Sequence, residues 1–392
     1  MKILIYGNPN SIFVIDYIKY VLLAEDKEIQ KIVLLSNSPM VEINIDYTKF
    51  YEDNNIDVVG IININKYIMK IPKVRGLIFR LKSNYERNKS MRNLIFKYHT
   101  FDTLHIHCVV PAAADLIRKY SNFFNNIIST FWGSDLLRAE RKNYLKLNYI
   151  LNKSHCITVS TEVMKNVTEC TFDIHDKTKL KLASFGLSPL EYIKKLELQE
   201  SIDKSKEILS LPKDKIIIHC GYNASREQQH KYIINALNKC NESTLNKIFV
   251  ILLMTYPSNN EYINEIKNYL NNSIFQYKII TSFLYNENIA RLRRTGDILI
   301  HAQITDAFSG SISEHIYCNN IVFNGSWLEY PVLDENGIYY NKFDNEDDLS
   351  YKLEHTILHL EDEKAKVKEN SKKIYDICSW QSVRKQWLIN YK

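Results

Sequence analysis

Short apolar runs rich in isoleucine and valine recur along the chain, each bounded by polar or turn-forming residues. In the first half they are Lys2–Tyr6, Lys31–Leu35, Val58–Ile61, Thr103–His107, Asn126–Thr130 and Cys156–Ser160. In the second half they are Lys215–Cys220, Lys247–Met254, Tyr277–Thr281, Asp297–His301 and Asn320–Phe323. Most are continuous rather than alternating, as expected for strands buried on both faces of a parallel sheet. Helical stretches lie between them, such as Asn260–Leu270 and Asn286–Arg294. This repeated plan predicts an α/β protein of two Rossmann-like, doubly wound domains. Ligands of such sheets bind at the carboxyl ends of the strands, so two domains facing an interdomain cleft would share one site.

The length of 392 residues suits two cores. The expected division is a first domain over 1–190, a charged linker over 191–212, and a second domain over 213–372. Leu211-Pro212-Lys213-Asp214 reads as the turn that opens the second domain. The tail, 373–392, reads as a helix whose Trp380, Val383, Trp387, Leu388 and Ile389 pack back on the first domain. No run of about 18 apolar residues spans a membrane, and the start is too short and strand-like for a signal peptide. Seven scattered cysteines without a Cys-x-x-Cys pair predict reduced thiols in a cytoplasmic protein, with no zinc site.

The net charge of +6 changes this picture in one place. Between residues 66 and 97 lie Lys66, Lys70, Lys73, Arg75, Arg80, Lys82, Arg87, Lys89, Arg92 and Lys97, with Glu86 the sole acid. Apolar residues such as Leu77, Ile78, Phe79, Leu81 and Phe96 are interleaved. Such a segment can lie peripherally on an anionic membrane surface, here the inner face of the plasma membrane. It can equally be a solvated helix pair with its apolar side in the core. No nucleic-acid module accompanies it, so nucleic acid is not an expected partner.

The richest chemistry follows the run at Asp297–His301, in Thr305-Asp306-Ala307-Phe308-Ser309-Gly310-Ser311-Ile312-Ser313-Glu314. A helix N-terminus after a strand is an anion site, through its free N–H groups and dipole. Phe308, Ser309, Gly310 and Ser311 stand at that start, and Glu314, further in, can accept hydrogen bonds from hydroxyls. Together these parts suit a nucleotide sugar. The first run of the second half leads into Gly221, Asn223, Arg226, His230 and Lys231, a loop entering a helix with cations for a leaving diphosphate. In the first half Trp132-Gly133-Ser134-Asp135 follows a run, with Arg138 nearby. Asp135 can act at the site or merely cap the next helix. His105 and His107 share a strand face, and His107 at the strand end can carry a proton or pack structurally. Gly7-Asn8-Pro9-Asn10-Ser11 offers Asn8 and Asn10 to an acceptor and Ser11 as a helix N-cap.

On these residues the chain resembles GT-B glycosyltransferases. Ser129–Arg138 resembles the Thr-x-His-Gly-x-Asp segment of glycosyltransferase family four, with Trp132 in place of His. Ser154–Ser160 with Thr161-Glu162-Val163-Met164, and Phe185-Gly186-Leu187, resemble two further segments of that family. Asp306 and Glu314 match its Glu-x7-Glu pair, with Asp in first place. A more scattered similarity, through Phe131–Leu136, Gly221–His230, Met254-Thr255-Tyr256 and Glu261-Tyr262-Ile263, is to bacterial 4-acetamido-4,6-dideoxygalactose transferases.

The resemblance implies transfer of a sugar from a nucleoside diphosphate donor to a bacterial surface glycan, lipid-linked or part of capsule or lipopolysaccharide. It implies a ribose role for Glu314, a sugar role for Asp306, and retention at the anomeric carbon. Arg226 and Lys231 have the family's five-residue spacing for diphosphate cations; a shifted register puts Asn223 and Gln228 there instead. Asp306, Asp135 and His107 are the candidate catalytic groups, the last two as bases should the reaction invert. Asn8, Asn10, Trp132, Gly133 and Arg138 are the candidate acceptor contacts. No cofactor and no metal are expected, since fixed cations serve the diphosphate. A nucleotide-sugar epimerase of the same frame, or an inactive glycan-binding partner, remains open; an epimerase consumes donor without acceptor.

Overall fold

The computed structural model describes the chain apart from residues 25–28, 38–41, 62–71, 258, 307 and 392, and for residues 72–80 and 286 it describes the backbone alone. The chain divides into two compact units, Met1–Gly186 with Val383–Lys392, and Leu187–Ser382. Among the described residues the first unit holds seven strands: β1 (Lys2–Gly7), β2 (Lys31–Ser36), β3 (Asp57–Val59), β4 (Phe101–His107), β5 (Phe124–Thr130), β6 (Cys156–Val159) and β7 (Leu180–Leu182). The second holds six: β8 (Ile216–Cys220), β9 (Ile248–Leu253), β10 (Gln276–Ile280), β11 (Ile298–His301), β12 (Ile321–Gly325) and β13 (Asn341–Phe343).

The strand orders are β3-β2-β1-β4-β5-β6-β7 and β10-β9-β8-β11-β12-β13. Every pairing is parallel. The order reverses between β1 and β4 in one sheet and between β8 and β11 in the other. In a doubly wound sheet these reversals are where the flanking loops part and a ligand fits. Burial explains the continuous apolar runs. In β11, Ile298 and Ile300 enter one core and Leu299 enters the core on the opposite face.

The expected division of the chain differs from the observed one at two points. Residues 191–212 are not a linker. They form most of helix Ser188–Gln199 and all of helix Ile202–Ile208, both within the second unit. Leu190, Ile193 and Leu196 give the first of these an apolar stripe, which packs with Leu299, Ile312 and Ile316. Glu200, just after it, is gripped by Arg291 through three hydrogen bonds of 3.0, 3.1 and 3.0 Å. The tail is divided rather than a single returning helix: Asn370–Cys378 belongs to the second unit, and Val383–Lys392 to the first. There Trp387 packs against Tyr17 and Phe185, and its indole N–H donates to the Ser184 carbonyl at 2.8 Å.

Of the basic run, Lys66 and Lys70 lie outside the described residues. The remainder lies in one helix, Pro72–Tyr98, not a helix pair. Arg87 is buried, its guanidinium 5.6 Å from the Tyr6 ring, which removes it from the expected surface set. Leu81, Lys82, Tyr85, Lys89, Arg92 and Phe96 are exposed. Among the described residues, no helix is long and apolar enough to cross a membrane.

Candidate functional site

At the second sheet's reversal, β8 ends at Cys220, just before Gly221, and β11 ends in His301. Gly221 has a φ of +64°, and a Cβ there would meet Gln228 Oε1 at 2.8 Å and His230 Nε2 at 3.1 Å. Only glycine fits this left-handed, crowded turn. The two loops are laced together. Gln228 accepts from the Tyr222 N–H at 3.0 Å and donates to Gln303 at 2.7 Å, and the Tyr222 hydroxyl donates to Gln303 at 2.6 Å. The Gln229 amide donates to the Ala302 carbonyl at 2.6 Å. A hydrogen-bonded floor at the carboxyl ends of β8 and β11 results.

The helix Gly310–Tyr317 starts on this floor, with Ser309 as its N-cap residue. Asp306 sets that start. Its Oδ2 accepts from the Ser309 N–H at 2.8 Å and from the Tyr330 hydroxyl at 2.7 Å, with His301 Nε2 at 3.6 Å. Burial alone raises the Asp306 carboxyl, but the contacts from His301, Tyr330 and Ser309 outweigh it and hold it below the ordinary value. Phe308 takes a φ of +70° and lays its ring near Tyr330, at 5.5 Å. Glu314, 8% exposed, gives Oε2 to Arg293 Nε at 2.7 Å. Its Oε1 lies where a side chain at Gly310 would begin, at 3.7 Å. Both acids therefore spend one oxygen on the protein. Among the described residues neither Asp306 Oδ1 nor Glu314 Oε1 has a hydrogen-bond partner, so each has capacity for a ligand hydroxyl.

The expected diphosphate cations are placed otherwise than expected. Arg226 pairs with Glu265 at 2.7 Å and Lys231 pairs with the same carboxylate at 2.5 Å. Their charges lie over the Tyr262 and Tyr269 rings. A diphosphate would share these cations with Glu265. His230 is fully buried under the loop, with Nδ1 3.1 Å from the Tyr262 hydroxyl, and is not a surface donor group. Asn223 is nearly buried, and its Oδ1 accepts from the Ser225 N–H at 2.8 Å. Ser311 is buried near the helix start. Beyond β9 and β10, Tyr256, Phe283 and Tyr285 form an exposed aromatic row with ring separations of 6.1 and 4.6 Å.

In the first unit two expected catalytic groups are held within the protein. Asp135 Oδ1 accepts from the Trp132 and Gly133 N–H groups at 2.8 and 3.0 Å, and Oδ2 from the Val109 N–H at 2.8 Å. It is a clasp joining the loops after β4 and β5, around Gly133 at a φ of +119°. Burial raises its carboxyl against the pull of those N–H groups. Both of its oxygens are engaged by backbone amides, which gives the carboxylate a role in holding these loops. His107 has no exposed surface and no hydrogen-bond partner for either ring nitrogen. Burial pushes it down to about 3, so it neither reaches a substrate nor carries a proton near neutrality. His105 is also neutral by burial, and bridges the Tyr391 hydroxyl at 2.5 Å and the Thr130 hydroxyl at 2.7 Å.

The expected acceptor residues stand at the ends of β1 and β5. Asn8 Oδ1 accepts from the Asn10 N–H at 2.9 Å, and Asn10 ties the 42–44 segment by bonds of 3.1 and 2.9 Å. Ser11 is the N-cap residue of helix Ile12–Tyr17, but its side chain makes no cap bond. Trp132 packs between Phe13 and Phe185, at 5.1 and 5.9 Å, with Phe13 47% exposed. Arg138 is exposed. Among the described residues no group of three or more His, Cys, Asp or Glu is placed to hold a metal ion.

The buried histidines make stability depend on pH. His107 and His219 are pushed to about 3 and His230 to about 4 by burial, against 6.5 in an unfolded chain. Below that unfolded value the unfolded chain takes up protons that the folded one refuses, so stability falls as pH drops. Each such histidine contributes about 1.4 kcal/mol per pH unit across its window. Urea midpoints should fall steadily from about pH 6.5 to about pH 4, and His107→Leu should flatten the slope. A flat wild-type profile would remove this assignment.

Sequence reasoning missed Arg293, His301, Tyr330 and Tyr256. His301 closes a predicted strand, and its position at a strand end is a signal. Arg293 sits in Arg291-Leu292-Arg293-Arg294, where nothing in the sequence marks which arginine turns inward.

No family model matches the chain, and no curated protein matches its sequence. Solved structures match along its whole length. A glycosyltransferase from Rickettsia africae has a TM-score of 0.73 at 18% identity, covering 100% of this chain and 97% of that one. Anabaena HepE in complex with UDP has a TM-score of 0.71 at 12% identity, covering 99% of each. A sucrose-phosphate synthase from Thermosynechococcus elongatus has a TM-score of 0.66 at 10% identity, covering 100% and 98%. With its parallel sheets of seven and six described strands, the chain has the GT-B fold of these glycosyltransferase structures.

Proposed function

We propose that the protein is a glycosyltransferase that moves a sugar from a nucleoside diphosphate sugar to a bacterial surface glycan. One observation carries this reading. At the second sheet's reversal a helix N-terminus stands beside two fixed acids, Asp306 and Glu314, each with one oxygen left for a ligand hydroxyl. The helix N–H groups take the diphosphate. Glu314 takes the ribose, Asp306 the donor sugar, and the Tyr256–Phe283–Tyr285 row offers ring faces to the base. The Anabaena neighbour's UDP makes uridine the first base to test.

Departure of the diphosphate is assisted by electrostatics, from the helix N-terminus and from Arg226 and Lys231, shared with Glu265. The reading includes no cofactor and no metal. Inversion needs a base; of the two groups named for it, Asp135 is engaged by backbone N–H groups and His107 is fully buried. Both placements favour retention.

The acceptor belongs to the first domain, where half-exposed Phe13 beside Trp132 offers a face for a sugar ring. We assign that acceptor a lipid anchor. On helix Pro72–Tyr98, Leu81, Tyr85 and Phe96 are exposed among the exposed cations Lys82, Lys89 and Arg92. Apolar residues between cations suit an anionic bilayer surface. Binding to phosphatidylglycerol vesicles should weaken with salt, and Lys82→Glu with Lys89→Glu and Arg92→Glu should abolish it. Full binding by the triple variant would remove the surface from this role.

The function itself is tested by a thermal-shift screen of uridine, guanosine, adenosine and thymidine diphosphates and their sugars. Binding at 100 times Kd stabilises by about 2.7 kcal/mol, enough to read. Donor that stabilises the protein should be consumed only with a lipid-linked glycan present. Consumption of donor alone to a new nucleotide-free sugar would indicate an epimerase instead.

A further inference from the structure

Glu314 does not stand alone in its helix. Arg293, in helix Asn286–Arg294, is 4% exposed and donates from Nε to Glu314 Oε2 at 2.7 Å. Its Nη1 donates to His315 Nε2 at 3.2 Å. Asn320 closes the arrangement: its amide donates to the Arg293 carbonyl at 2.9 Å and lies 2.7 Å from His315 Nδ1. His219 packs edge-on against His315 at 4.7 Å. Asn320 thus holds the Arg293 main chain, and His315 holds the guanidinium at its far end. These contacts keep the guanidinium in place independently of Glu314.

We infer that Arg293 is a positioning residue that locks the Glu314 carboxylate by one oxygen, and thereby makes the nucleotide site selective for ribonucleoside over deoxyribonucleoside diphosphates. The inference rests on the ribose reading of Glu314 given above. With Oε2 held, Oε1 is the oxygen left at Gly310, and a carboxylate oxygen can only accept. Its natural partner is a hydroxyl donor at a fixed place. A ligand lacking that hydroxyl leaves a nearly buried carboxylate oxygen without a partner, the arrangement that discriminates most sharply against an analogue. Without Arg293 the carboxylate can rotate, and either oxygen can turn to water. Selectivity for the hydroxyl is then lost before affinity for the phosphates.

This separates positioning from mere structural support. Calorimetry would compare UDP with 2′-deoxy-UDP and 3′-deoxy-UDP, and GDP with its deoxy forms, on wild type, Arg293→Lys, Arg293→Met, Glu314→Gln and the Arg293→Met/Glu314→Gln pair. Wild type should prefer one or both ribose hydroxyls by about 10- to 100-fold, the worth of a hydrogen bond to a charged group. Arg293→Met should bring that ratio close to one while diphosphate-dependent binding persists, with Arg293→Lys intermediate. The double variant should show no further loss of selectivity beyond Glu314→Gln. Equal weakening of ribo- and deoxynucleotides by Arg293→Met, with the ratio kept, would overturn the positioning role and leave the ribose reading standing. A wild-type protein that shows no ribose preference, or binds none of these nucleotides, would overturn both. Thermal unfolding of each variant identifies any that fail to fold, and for these the Arg293→Lys ratio decides the outcome in the same two directions.

Discussion

Glu314→Gln should reduce nucleoside diphosphate affinity by about 10- to 100-fold, because a hydrogen bond to a charged acceptor is replaced by a weaker one. Glutamine keeps an oxygen for Arg293 and nearly the same shape, so folding should survive. Glu314→Ala should behave differently. It strands a buried guanidinium, a change that costs about 3–5 kcal/mol in comparable buried pairs. The pair has side chains only 4% and 10% exposed, so solvent cannot take over the lost partner. The comparison thus distinguishes binding from support: Glu314→Gln should lose ligand and keep its unfolding midpoint, and Glu314→Ala should lose both. Unchanged UDP affinity in a folded Glu314→Gln protein would remove Glu314 from the site.

Trp387→Ala should destabilise the first domain by about 3–5 kcal/mol, the range for deleting a large buried aromatic. The residue is 1% exposed and packs on Tyr17 and Phe185. The same tail brings the Tyr391 hydroxyl to Tyr17 at 2.8 Å and to His105 at 2.5 Å. Two-domain chains need not unfold in one step. Denaturation followed by hydrogen exchange should therefore show protection lost in strands β1, β4 and β5 and kept in β8, β11 and β12. Equal loss in both domains, or none, would contradict the assignment of this tail to the first core.

The fold was legible because each buried strand announces itself twice, by continuous apolar residues and by the polar turn after them. Runs such as Ile298-Leu299-Ile300 can only be strands covered on both faces. Two of the four edge strands, β7 and β13, were missed for the complementary reason. Leu180-Lys181-Leu182 and Asn341-Lys342-Phe343 each carry a lysine at the centre of three residues, as expected where one side of a strand meets solvent. The boundary was misplaced because charge was given more weight than period: Leu190, Ile193 and Leu196 lie three apart and form a buried stripe among lysines and glutamates.

The site was legible as a set of positions and not as a set of roles. Asp306, Gly221 and Asp135 stand in the loops after strands and Glu314 in the helix that follows one, where sequence order predicts them. Whether an acid there faces a ligand or its own backbone depends on which N–H groups the loop folds toward it. Asp135 sits two residues after Gly133, and that glycine's turn folds two amides onto its carboxylate, while Val109 adds a third from the loop after β4. Arg226 and Lys231 have the spacing for a diphosphate, but Glu265 lies on the neighbouring helix Asn260–Leu270, a proximity no local spacing reveals. Arg293 was invisible for the same reason, being 21 residues from the acid it holds.

Hydrogen exchange with and without a saturating nucleoside diphosphate tests the donor site most directly. Its first helical amides have no partner within the helix and should be the most responsive to an anion. UDP, or whichever diphosphate the screen selects, should slow exchange at residues 309–314 and 221–224 above all. Protection confined to the first domain, or absent from the start of the Gly310 helix, would contradict the placement of the donor there.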